Sequence, residues 1–343
     1  MNPSTTRRTR PLHRALAAAA VVALPLGLAA CGSDDGGSGD GGTELTLAHS
    51  YTEDQPQHTC GAEVIKEEIE SADADLSVEI FPASQLGGDA DRIASVQSGD
   101  IDIDIQGASA LAAVYEPVGV VDAAYAFEDA EALDTYFTEG GADTLKEDFK
   151  AASDVSILGA WSAGARHFTA NEPIEEPADL DGLRMRFPGS PQFLLNAEAL
   201  GAQATEVAYE ELYLALQQGV VDGQENPIVN IEASNLAEVQ DYLSMSGHAQ
   251  NSNLIVAGPV YDDLTEEQQG VLDDAVAEAV AQMPGCVDEA ETETVEAWKS
   301  DGSIEIVEDV DTTAFAEQTD AWFRENLEGD TLAVYESIKD SQE

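Results

Sequence analysis

This chain of 343 residues predicts an α/β protein of two lobes, and three observations predict it. Short apolar strands alternate with helical patterns from residue 44 onward, the rhythm of an α/β lobe. The part beyond the leader is longer than one hydrophobic core usually organises. Apart from that leader, no apolar run is long enough to cross a bilayer.

The leader comes first. Arg7, Arg8, Arg10 and Arg14 form a positive region, Ala15 to Leu28 an apolar run, and Leu28-Ala29-Ala30-Cys31 has the small-residue pattern of a bacterial lipobox. The segment reads as an export signal, being too short for a span and ending at a cleavage motif. The expectation is a signal peptide over 1–30, a lipidated Cys31 and a flexible Gly/Ser/Asp tether through residue 43, which would leave the domain on a leash outside the membrane. The Arg7-Arg8 pair hints at twin-arginine export, but the residues after it fit general secretion better.

Residues 44–49 then read as a strand, 54–70 as a helix, 76–81 as a strand with alternating faces, 89–98 as a helix and 101–106 as a strand. In such a lobe ligands bind beyond the carboxyl ends of the strands. Those ends deliver His49-Ser50-Tyr51 and Gln106-Gly107-Ala108-Ser109, so His49 and Gln106 are candidate cleft residues. A second block has strands at 155–161, 183–187 and 204–207, with helices at 190–200 and 209–218. Leu272, Val276, Val280 and Met283 keep helical spacing behind a capping box of Thr265 and Gln268. That long helix is expected to run on towards Trp298, bent or interrupted at Pro284, and one more amphipathic helix is expected over 312–327. There is no internal repeat.

Composition narrows the function classes. With 68 acidic residues against 14 basic ones, nucleic acid and anionic lipid would both be repelled. The acids recur along the whole chain, which reads as a solvated acidic surface suited to a salty medium. Metal sequestration lacks any dense loop pattern, and His49, His58, His167 and His248 share no ligand spacing. With Cys31 lipidated, Cys60 and Cys286 remain either as a disulfide, which an oxidising compartment permits, or as two separately buried thiols.

Against this acidic background Arg166, Arg184 and Arg186 stand close together. A guanidinium holds a carboxylate with two parallel hydrogen bonds, so a small anion explains the cluster. A strand over 183–187 puts Arg184 and Arg186 on one face and Leu183, Met185 and Phe187 on the other. The competing explanation, for Arg166 and Arg184 alike, is a salt bridge to an acid.

LRMRFPGS and YEELYLALQQGVVDGQENP, within residues 182–227, closely resemble the solute-binding proteins of TRAP (tripartite ATP-independent periplasmic) transporters, of the DctP type. PASQLGGDADRIASVQSGDIDI, AYAFED and GARHFTANEPI extend the resemblance over essentially the whole chain beyond the tether. It implies a periplasmic-binding-protein-like fold with a ligand cleft between lobes: residues 44–163 plus about 253–291 in one, and 164–252 plus about 292–330 in the other. It implies that Arg186 of Arg186-Phe187-Pro188 clamps a ligand carboxylate. Arg166 matches a second ligand arginine, Asn226 a polar contact and Tyr209 an aromatic wall, while Arg184 matches a basic neighbour that makes no ligand contact. Two residues depart from the pattern: Glu172 stands where arginine is usual and Phe187 where valine is, the latter expected to reshape the pocket floor.

The implied function is capture of a small organic acid by a monomer that closes about its hinge strands and passes the acid to small and large membrane subunits driven by an ion gradient. No chemistry on the substrate, no catalytic residue and no cofactor are expected. A cation beside the carboxylate, as in some relatives, is left open and assigned to no residue. Two alternatives stand beside this reading. Ala160-Trp161-Ser162-Ala163-Gly164 nearly matches a nucleophile elbow, which with His248 suggests a tethered serine hydrolase. An ABC-type binding lipoprotein shares the leader and tether but does not explain DGQENP.

Overall fold

Among residues 42–342, which the computed structural model describes, nine strands form one mixed sheet. The signal peptide, Cys31 and nearly all of the tether lie outside the described residues. The strands are β1 (Thr43–His49), β2 (Leu76–Phe81), β3 (Ile103–Gly107), β4 (Ser156–Ala170), β5 (Arg184–Phe187), β6 (Gln203–Glu206), β7 (Gly223–Pro227), β8 (Tyr242–Ala257) and β9 (Glu305–Val307). Their spatial order is β2-β1-β3-β8-β4-β7-β5-β6, with β9 also on β8.

The two long strands, β4 and β8, organise everything else. They pair antiparallel along nearly their whole length, with a slip near one end between Ile157 and Gly159 and two central shifts, the first between Ser162 and Ala165 and the second between Arg166 and Phe168. Before the first shift, β4 faces the part of β8 that also carries β3; beyond the second, β4 carries β7, and β8 carries β9. Gly164 sits at the first central shift with φ +99°, a backbone few L-residues adopt, and a Cβ there would run into Glu291 Oε1. Small and apolar residues let β4 be buried on both faces, so its sequence reads as a continuous run.

Twelve helices surround the sheet among the described residues. In the first half they are α1 (Glu63–Ser71), α2 (Asp89–Ser98), α3 (Ala108–Leu111), α4 (Ala130–Thr138) and α5 (Asp143–Ser153). Then come α6 (Pro191–Leu200), α7 (Leu212–Gln217), α8 (Ile228–Ala233), α9 (Val260–Asp263), α10 (Glu266–Asp301), α11 (Thr312–Asn326) and α12 (Gly329–Asp340). The predicted helix at 54–70 begins as a π-helical turn over Gln57–Ala62 before α1. The elements from β1 to β3 lie within a few residues of expectation, whereas α3, α4, α5, β7, α8, β8, α9, β9 and α12 went unpredicted.

Helix α10 starts on the predicted capping box, with Gln268 N donating to Thr265 Oγ1 at 3.3 Å. It is not interrupted at Pro284; its 36 residues remain α-helical through Asp301. The bond that Pro284 cannot donate is outweighed by packing on either side, where Met283 and Val287 are buried. Leu272, Val276 and Met283 join Ile65 and Ile69 of α1, Leu45 and Leu47 of β1 and Trp161 of β4 in one core. The far end of α10 places Trp298 in a separate core with Leu212, Ile231 and Leu243. A disulfide joins Cys60, in the turn before α1, to Cys286 of α10, closing a sequence separation of 226.

Candidate ligand cleft

A cleft of about 770 Å³ opens between the two halves of the sheet. The carboxyl ends of β1 and β3 and the start of α2 line one wall; the segment after β5, the segment after β6 and the residues around the β4–β8 irregularity line the other. Arg166, Arg186, Asn226, Tyr209 and Gln106 all line it. His49 does not. Its ring is fully buried, with Nε2 3.1 Å from His58 Nδ1, and burial followed by the charge interaction with His58 lowers its pKa to about 3. The strand turns at its end, so Ser50 and Tyr51 reach the cleft and His49 faces inward.

The three arginines separate by their partners. Arg184 is exposed and grips Asp222 with two bonds, Nε at 2.9 Å and Nη2 at 2.5 Å, a surface salt bridge away from the cleft. Arg166 is buried and engaged on three sides: Nε and Nη2 clasp the Glu225 carboxylate, Nη2 also reaches the Glu225 carbonyl at 2.9 Å and Asn226 Oδ1 at 3.3 Å, and Nη1 donates to Asn251 Oδ1. Its guanidinium lies over the Phe193 ring, 4.4 Å from the centroid. Glu225 also faces His248 Nε2 at 3.3 Å. Burial opposes ionisation of Glu225, yet Arg166 and His248 outweigh it and hold the carboxyl below its ordinary range.

Arg186 is different. Only 2 % exposed, it donates Nε to the Val207 carbonyl at 2.9 Å, while Nη1 is buried with no partner among the described residues. Burial lowers its pKa to about 10, which still leaves it charged at neutral pH. A buried cation with an unmade bond costs stability unless something else completes it. The register of β5 explains why it points here: Met185 and Phe187 enter the core on the opposite face. Phe187 is fully buried in that core and does not line the cleft, so the valine-to-phenylalanine departure leaves the pocket wall untouched; Glu172 is exposed.

Sequence reasoning missed the amide lining. Asn230, Asn251 and Asn253 face the cleft, and Gln55 Nε2 donates to Asn230 Oδ1 at 3.0 Å across it. Asn253 Nδ2 donates to Tyr51 Oη at 2.6 Å. The run Gln250-Asn251-Ser252-Asn253 inside a strand was the available signal, since amides on a buried strand need partners.

The nucleophile elbow is absent. Ser162 lies within β4, not on a strand-to-helix turn, and its Oγ donates to Gln250 Oε1 at 2.8 Å. His248 bonds instead to Ser246 and Glu225, so no serine–histidine pair forms. Among the described residues no group of three or more His, Cys, Asp or Glu side chains is placed to hold a metal ion.

Fold and cleft together are those of a two-lobed solute receptor, and the chain belongs to the DctP family, bacterial extracellular solute-binding protein family 7, whose model matches residues 47–330. A solute-binding protein of Roseobacter denitrificans is 30 % identical over 296 residues, covering 86 % of this chain and 90 % of that one. The C4-dicarboxylate-binding periplasmic protein DctP of Rhodobacter capsulatus is 30 % identical over 284 residues, covering 81 % and 82 %. Among solved structures, a TRAP periplasmic solute-binding protein of Roseobacter denitrificans with bound L-galactonate matches at TM-score 0.77 and 30 % identity, covering 86 % of this chain and 98 % of that one. Another, from a Polaromonas species and bound to D-erythronate, matches at 0.78 and 28 %, covering 88 % and 98 %. The first of the three readings of the sequence therefore stands, not the serine hydrolase or the ABC-type receptor.

Proposed function

We propose that the cleft captures a small organic acid, with its carboxylate bound by both Nη groups of Arg186. The observation that carries this is Arg186 itself, a cleft-lining and nearly fully buried guanidinium whose Nη1 has no partner among the described residues. Hydrogen bonds to charged groups contribute about 1.5–3 kcal/mol each, so one bidentate contact fixes the orientation of a small acid. Arg166, locked by Glu225, shapes the site more than it binds. Asn226 and Tyr209 complete the wall around the carboxylate, and Gln106 lies across from them.

Residues 44–163 with about 253–291, and 164–252 with about 292–330, act as the two lobes, hinged where the β4–β8 register breaks. Ligand contacts to both lobes favour the closed form. The receptor works as a monomer outside the cytoplasmic membrane, held there by a lipid on Cys31 after removal of residues 1–30, and hands the acid unchanged to TRAP membrane subunits. No cofactor is assigned.

A thermal-shift screen of mono- and dicarboxylic, keto, aromatic and sugar acids tests the reading. At least one acid raises the melting temperature; a folded protein that responds to none contradicts it. Loss of membrane association in Cys31→Ser tests the anchor separately.

A further inference from the structure

We infer that Gln55 and Asn230 are a positioning pair whose hydrogen bond joins the two walls of the cleft and slows the escape of a bound acid. The inference rests on the reading of the cleft as an acid-binding site, since it concerns how long that site keeps its occupant. Gln55 follows β1 on one wall and Asn230 lies in α8 on the other, 175 positions apart in the chain, and Gln55 Nε2 donates to Asn230 Oδ1 at 3.0 Å. Among the described residues, this is the only hydrogen bond between two cleft-lining side chains that come from opposite walls. The other such bonds stay on one wall, as Tyr51 with Asn253, Ser50 with Asp89 and Arg166 with Asn251 do.

Each partner is held on its own side. Gln55 Oε1 accepts from Thr52 N at 2.9 Å and from Thr52 Oγ1 at 3.2 Å, and the Gln55 carbonyl accepts from His58 N and Thr59 N. The turn that follows carries Cys60, which the disulfide fixes to α10. Opposite, the Asn230 carbonyl accepts from Tyr209 Oη at 3.3 Å, and Tyr209 Oη accepts from Ser234 Oγ at 2.6 Å. Both amides are buried, and with Gln55 fixed at its other end they meet only when the walls stand at the right separation.

A bond between two preset groups constrains the walls more than the side chains. When the walls part, it breaks and both amides return to water; when they close, it forms again out of solvent. The bond therefore stabilises the closed cleft and contributes nothing to the encounter with an open one, so its loss falls on the release rate and leaves association alone. Asn230 also holds Tyr209, so the contact that joins the walls steadies the ring that faces the cleft with Arg186. The net worth of one amide–amide bond is small, because water offers both groups a replacement, and the effect on release is correspondingly modest.

The test measures association and release separately, by surface plasmon resonance on the full chain, with whichever of succinate, pyruvate, benzoate, D-erythronate and L-galactonate binds wild type most tightly. Gln55→Ala and Asn230→Ala are each expected to release it about twofold to tenfold faster, with association within about twofold of wild type. The double variant is expected to release no faster than the faster single one, because the second substitution finds the bond already gone. Gln55→Asn, one methylene short of the span, is expected to match Gln55→Ala, which keeps the test decisive if Asn230→Ala does not fold. Release unchanged in Gln55→Ala, effects that multiply in the double variant, or a loss confined to association each overturn the inference while the carboxylate reading survives. A folded wild-type chain that binds none of these acids overturns both.

Discussion

At the scale of single residues, a guanidinium's role follows from what already occupies its donors. Three scarce arginines lie within about twenty residues, and the residue types announce an anion. Only the structure separates Arg184 on a surface aspartate, Arg166 on a buried glutamate and Arg186 with a donor unmade. Sequence alone could not pick Glu225 from 68 acids as the partner of Arg166, because β7 brings them together from 59 positions apart. Removing one partner of a buried pair strands the other charge. Glu225→Ala is therefore expected to cost about 3–5 kcal/mol in urea unfolding; a loss under about 1 kcal/mol, the range of exposed pairs, contradicts the buried-clasp description. His49 failed as a cleft residue for a related reason. The end of a strand is legible, but which way its last side chain faces depends on the neighbouring His58.

At the scale of elements, the sequence was most legible where period and caps agreed. The capping box of α10 and the alternation of β2 landed within a residue of their place. β8 went unread because its middle, Gly247 to Asn253, is polar and breaks the apolar run, though its two ends are strand-like. Its partners β3, β4 and β9 compensate by supplying backbone pairing that no local pattern reveals. α10 carries a further consequence. Glu291 presses against Gly164 at the irregularity of β4 with Oε1 buried and unpartnered. Burial, then Asp288, raises its carboxyl from 4.5 to about 8, against the Ile228 backbone N–H. The folded state thus holds a proton that the unfolded chain releases between those values. This contribution to stability is complete below about 4.5, falls as pH rises and is lost above about 8. Glu291→Gln is expected to flatten the melting temperature over that window and to raise it at pH 8 by a few °C, on the order set by domain size. Parallel profiles for the two proteins contradict the assignment.

At the scale of the whole molecule, the two lobes were readable from length and from alternating patterns, whereas the pairing of Cys60 with Cys286 was left open by the sequence because spacing sets no distance between thiols. The disulfide ties the first helical segment to α10 across most of the chain. Replacing both cysteines with serine is expected to lower unfolding stability by about 2–5 kcal/mol, with the chain-entropy argument near the upper end for so long a loop; an unchanged urea midpoint contradicts that. The acidic surface that makes the arginines conspicuous is a property of the solvent-facing shell. The account turns on Arg186, and the most direct test is the melting temperature of wild type, Arg186→Ala and Arg186→Lys with and without the best acid from a thermal-shift screen. Wild type should gain stability with ligand, alanine should gain none while remaining folded, and lysine should gain little, since a point charge does not reproduce the fork. A full ligand-induced shift retained by Arg186→Ala would contradict the account.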